Sequence, residues 1–130
     1  MLDSGVFGMD GGFKTLTVYQ RSYTAAKAVY AMTDCFPEKE RYGVIDQLRR
    51  ASLSIPLNIA EGYGKKDSQA ELKRYLRMSL GSANEVLVLL DFSKDTNYIT
   101  PEKHQKAYQE YEEICKMLNA FVQKTNNKKI

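Results

Sequence analysis

Ser54-Ile-Pro-Leu-Asn-Ile-Ala-Glu-Gly-Tyr-Gly64, followed after a polar bridge by Tyr75-Leu-Arg-Met-Ser-Leu-Gly-Ser-Ala-Asn-Glu85, is the stretch on which the fold turns. Apolar residues recur through both halves every three or four positions, the period of a helix with one buried face. Among them stand polar groups that packing does not require: Asn58, Glu61, Ser79, Ser82, Asn84 and Glu85. Pro56 and Gly81 are also poor helix-interior residues. Asn58, Glu61, Ser82, Asn84 and Glu85 are therefore expected to form a structural polar network between two helices or around the Gly62 turn, with a ligand or partner site as the alternative.

Upstream, Ile45, Leu48, Ser52, Ile55 and Ile59 form the stripe of a helix expected over 42–61, closed by a left-handed glycine at 62 or 64. Pro56 removes the amide that would bond the Ser52 carbonyl, so a kink is expected, with the Ser52 and Ser54 hydroxyls compensating. Downstream, Ser68 and Glu71 make a capping box. It opens a helix over 69–94, with Leu72, Leu76, Ser79, Ala83, Val86 and Leu90 inward. Tyr75, Met78, Ser82 and Leu89 widen its apolar coverage beyond what one core needs. The small residues from Ser79 to Ala83, Gly81 included, suggest close approach of a neighbouring helix.

Two further helices flank this pair. One is expected over 15–34, ended by Cys35-Phe36-Pro37. The other is expected over 101–124, begun by Thr100 as N-cap and Pro101 in the first turn. No strand pattern competes, and short connections make an antiparallel up-down-up-down four-helix bundle spanning 15–124. Residues 1–14 are expected to be a flexible tail and residues 125–130 a frayed basic end.

With 43% apolar and 27% charged residues in 130, the chain has the composition of one soluble globular domain. No apolar run approaches the roughly 20 residues that span a bilayer. The N-terminal segment lacks the basic start and apolar core of a secretory signal, which points to the cytoplasm. Cys35 and Cys115 lack metal-ligand spacing and read as reduced thiols. His104, the single histidine, has no nucleophile or acid in a local motif, and neither Glu61 nor Glu85 heads a Glu-x-x-His pair. The chain is therefore expected to be neither an enzyme nor a cofactor or metal protein.

Net charge is +3, but residues 41–80 hold eight Lys or Arg against four acids, whereas residues 81–113 hold three against seven. The candidate nucleic-acid contacts are Arg49, Arg50, Lys65, Lys66, Lys73, Arg74 and Arg77. Those on the third helix are spaced to share a side, and phosphate contacts of this kind would be salt-sensitive and indifferent to sequence. A solvated face, or ion pairs between subunits with Glu110, Glu112 and Glu113, is the competing account.

Several segments together resemble the four-helix-bundle family named for proteins encoded in intervening sequences of bacterial 23S ribosomal RNA genes. They are Val18-Tyr19-Gln20, Phe36-Pro37-x-x-Glu40-x-Tyr42-Gly43, Gln47-Leu48-Arg49-Arg50-Ala51, Ser54-Ile55-Pro56-x-Asn58-Ile59-Ala60-Glu61-Gly62, Leu80-Gly81-Ser82-x-x-Glu85 and Met117-Leu118. The match covers about residues 16–122. Tyr19 departs from it, standing where many members have tryptophan, and the glycine-rich segment before Phe13 lies outside it. The family includes relatives of the accessory variability determinant of diversity-generating retroelements. The resemblance implies a barrel-shaped homopentamer without enzymatic activity, binding RNA or DNA and a partner reverse transcriptase, with Arg49, Arg50, Arg74 and Arg77 as candidate contacts.

Overall fold

The computed structural model describes residues 12–127. Four helices, α1 (Thr17–Thr33), α2 (Val44–Gly64), α3 (Gln69–Asp95) and α4 (Pro101–Asn127), are joined by short connections, with 3-10 turns at Gly12–Thr15 and Glu38–Glu40. Among the described residues there is no strand. Helices adjacent in sequence pack together, and α1 closes on α4 to complete the bundle. The core follows the sequence stripes: Leu48, Ile55, Ile59, Leu76, Val86, Leu90, Ile114 and Leu118 are fully buried. Each such side chain contributes about 1.5–3 kcal/mol of transfer free energy.

The helix ends correct several expectations. α2 does not stop on a left-handed glycine; it runs through Gly64, and the positive φ values among the described residues belong to Gly12 and Asn97. Gly62 is required for a different reason, because a Cβ there would lie 2.7 Å from Tyr75 Cβ. The left-handed residue is Asn97, at φ 66° in the turn between α3 and α4, a conformation its short polar side chain tolerates.

α2 continues unbroken across the buried Pro56. The hydroxyls of Ser52 and Ser54 do not serve the Ser52 carbonyl: Ser52 donates to the Arg49 carbonyl at 3.1 Å, and Ser54 is hydrogen-bonded to Ser82. Only half of the capping box forms. Ser68 Oγ accepts from the Glu71 amide at 3.2 Å, while the Glu71 carboxylate turns to Arg74. Thr100 caps α4 as expected, accepting from the Lys103 amide at 3.2 Å.

α4 also outlasts its expected end. Thr125 is buried and donates to the Val122 carbonyl at 2.7 Å, so residues 125–127 are helical, while residues 128–130 lie outside the described residues. At the other terminus, residues 1–11 lie outside the described set, but residues 12–14 belong to a 3-10 turn and not to a tail. Phe13 sets its ring edge-on to Tyr19, with centroids 4.9 Å apart.

One hydrogen bond ties the two corners at the same end of the bundle. Tyr98 Oη, beyond α3, donates to Glu40 Oε2 at 2.6 Å, and the Val44 amide donates to the same carboxylate. The two donors hold the Glu40 carboxyl below its ordinary range, and the carboxylate in turn raises the Tyr98 phenol.

Candidate nucleic-acid interface

Whether a cation can meet a phosphate depends on what already holds it. Arg49 is the most constrained of the seven. Its guanidinium donates to Thr33 Oγ1 at 2.8 Å, to Asp34 Oδ1 at 2.9 Å and to the Tyr30 carbonyl at 3.3 Å. It also lies 4.8 Å from the centre of the Tyr30 ring, which makes it a strut between α1 and α2. Arg50 pairs with Asp46 one turn back at 3.1 Å, and Lys65 pairs with Glu61 at 3.7 Å. Lys66 sits 4.1 Å over the Tyr63 ring.

On α3 the geometry is more open. Lys73, Arg74 and Arg77, with Ala70 and Met78, line a shallow depression of about 460 Å³. Arg74 forms a fork on Glu71, 3.2 Å to each oxygen, which raises the guanidinium and lowers the carboxyl. Lys73 Nζ donates to Asn126 Oδ1 at the end of α4. Arg77 is exposed and makes no ion pair among the described residues, so its charge faces solvent uncompensated. Arg49 and Arg50 do not join this group. Gly62 abuts Leu72 and Tyr75, and Arg49 stands 13 residues before it, about 20 Å along α2 at 1.5 Å per residue. The seven cations therefore form no single patch.

Of the five residues expected to form a polar network, Ser82 does join α2 to α3, whereas the other four are not brought together. Asn58 Nδ2 donates to the Ser54 carbonyl within α2 at 3.0 Å, Glu61 is exposed beside Lys65, and Glu85 is exposed on the outer side of α3. Asn84 turns toward α4, where its Oδ1 lies 3.6 Å from Cys115 Sγ. Each residue advances about 100° around a helix, so with Ala83 in the core the next two positions swing away from α2. Serines make the link between α2 and α3: the expected Ser82 with Ser54, and Ser79 Oγ to the Ile55 carbonyl at 2.8 Å.

A second surface went unread in the sequence. Met78, Gly81, Glu85, Val88 and Phe92 all face outward at alternating spacings of three and four, with Val88 66% exposed. On neighbouring α2, Leu57 is 61% exposed. Such a heptad seam is the pattern by which one helix receives another. Its signal is present in the spacing, but the side stripe expected from the sequence includes only Met78 of these residues. Gly81 also loses its expected neighbour: nothing lies within 4 Å of a Cβ placed there.

The histidine and the two cysteines belong to neither surface. His104 Nε2 lies 2.8 Å from Asp91 Oδ1, with the ring against Tyr108. Cys35 is exposed, Cys115 is half-buried with its thiol pushed up by burial, and both are free. No described helix is long and apolar enough to cross a membrane.

Comparison with known proteins agrees with this architecture. No curated protein matches the chain. A solved structure from Bacteroides thetaiotaomicron, described as a protein with unknown function from the S23 ribosomal protein family, is 27% identical. It matches with a TM-score of 0.73 over 82% of this chain and 98% of its own. The model of the 23S rRNA-intervening sequence protein family matches residues 14–120, nearly the whole described bundle, and the chain belongs to that family.

Proposed function

We propose that the chain is a non-enzymatic accessory protein of the cytoplasm that assembles with its own copies, as a pentamer, and binds RNA or DNA. The reading extends to service beside a reverse transcriptase in a diversity-generating retroelement. The observation that carries nucleic-acid binding is the α3 flank, where Lys73, Arg74 and Arg77 border one open depression and Arg77 is uncompensated. Self-assembly is supported by the exposed heptad seam beside it. The pentameric number and the polymerase partner rest on the family resemblance.

Size exclusion with light scattering, run with and without a structured RNA across a salt series, tests both halves. The expected result is an oligomer that takes up RNA at low salt and releases it as salt rises. Lys73→Glu with Arg77→Glu should abolish RNA uptake and leave the oligomer intact. The rival is a protein scaffold whose basic flank mates with acids of a neighbouring copy. It predicts that the same reversals break the oligomer. Glu110 is poorly placed for that role, since its carboxylate already holds Arg21 at 2.6 Å.

A further inference from the structure

We propose that the α1–α2 face is a stacking platform for single-stranded nucleic acid, distinct from the α3 flank; this rests on the nucleic-acid reading above and assigns the strand type. Tyr19, Tyr23, Lys27 and Tyr30 follow at spacings of four, four and three along α1, so they share one flank. Contact between Tyr30 and Arg49 turns that flank toward α2. The Tyr19 and Tyr23 rings are nearly parallel, 20° apart in plane with centroids at 6.0 Å. Tyr23 and Tyr30 remain 45% and 39% exposed, large areas for aromatic side chains on a folded bundle.

Each of these exposed rings carries a cation. Lys27 Nζ lies 5.2 Å from the Tyr23 centroid and Arg49 Cζ 4.8 Å from that of Tyr30. Tyr63, two heptads past Arg49 on the same flank of α2, has Lys66 over it. From Tyr19 to Tyr30 the platform spans about 16 Å at 1.5 Å per residue, room for several nucleotides.

Charge decides the kind of occupant. Asp34, which follows α1, is paired with Arg49 at 2.9 Å, and α1 has no acid in its 17 residues. Its other cation, Arg21, faces α4 and is held by Glu110, which leaves Lys27 as the helix's charge on this flank. Aromatic faces interleaved with cations suit a strand whose bases are free to stack and whose phosphates need neutralising, and every base offers such a face whatever its identity. A duplex keeps its bases within its own stack and has nothing to offer the rings.

The test compares a labelled uridine oligonucleotide with a duplex of equal charge, by fluorescence anisotropy on the full-length protein. Tyr23→Leu and Tyr30→Leu should each weaken the single strand roughly five- to a hundredfold, the range of one base–aromatic stack. The duplex affinity and the salt slope should stay unchanged. Melting temperature and oligomer size are checked for each variant. In the unmodified protein, which has nine tyrosines and no tryptophan, the single strand and not the duplex should quench the intrinsic emission. Unchanged single-strand affinity in the leucine variants, equal losses for both ligands, or absence of quenching would each overturn the platform while leaving the α3 flank standing. Failure of the unmodified protein to bind either ligand would overturn the nucleic-acid reading as well.

Discussion

Two glycines on facing helices have opposite prospects. At Gly62 a methyl group would collide with the Tyr75 Cβ and press on the Leu72 carbonyl, neither of which can swing aside. Gly62→Ala should destabilise the protein by about 1–3 kcal/mol despite alanine's better helix propensity. At Gly81 the space is empty, so Gly81→Ala should stabilise an isolated protomer by about 0.5–1 kcal/mol. Urea denaturation of the two variants reads the contrast. Tyr111 offers a third case, because its hydroxyl is buried with no hydrogen-bond partner among the described residues and burial drives its pKa upward. Tyr111→Phe removes an unsatisfied group and should stabilise by about 1 kcal/mol, measurable in the same assay. None of these environments can be read from residue type alone. The sequence offers Gly62 as a helix stop and Gly81 as a point of close approach, but which of them a neighbour touches depends on how α2 and α3 are rotated.

At the scale of the elements, the corner bond between Tyr98 and Glu40 makes stability respond to pH at both extremes. The Glu40 carboxyl titrates lower in the folded state, so its contribution is present above its ordinary value of 4.5 and is lost as pH falls through the depressed one. The Tyr98 phenol titrates higher in the folded state, so its contribution holds below the ordinary value of 10.0 and is lost as pH rises past it. Tyr98→Phe should therefore lower the melting temperature near neutrality and flatten both limbs of its pH profile, which a thermal melt series would detect. Periodicity located all four helices because their buried stripes persist over many turns. It misplaced their ends at Gly64 and Asn127, where one contact decides whether another residue joins. It also grouped cations by nearness in sequence. Arg49 and Lys73 stand apart, since the same basic middle segment runs up one helix and down the next.

For the whole molecule, the proposed self-assembly puts the contact between copies on the outward seam of α3. Val88→Glu with Phe92→Glu puts two like charges on that seam and touches no core position, so it should yield a folded monomer. Light scattering gives the mass and circular dichroism confirms the helix content. If the double variant keeps its mass, another face holds the copies together.

The closure of α1 against α4 has a consequence in time. The other main contacts among the four α-helices join neighbours in the chain, whereas the ion pair of Arg21 with Glu110 closes a loop of 89 residues. Bringing such distant segments together costs more chain entropy than forming a hairpin of adjacent helices. The hairpins should therefore form early and the docking of α1 onto α4 come last, so the first helix is also the first to detach. Hydrogen exchange would record this as amides of α1 losing protection ahead of those in α2 and α3.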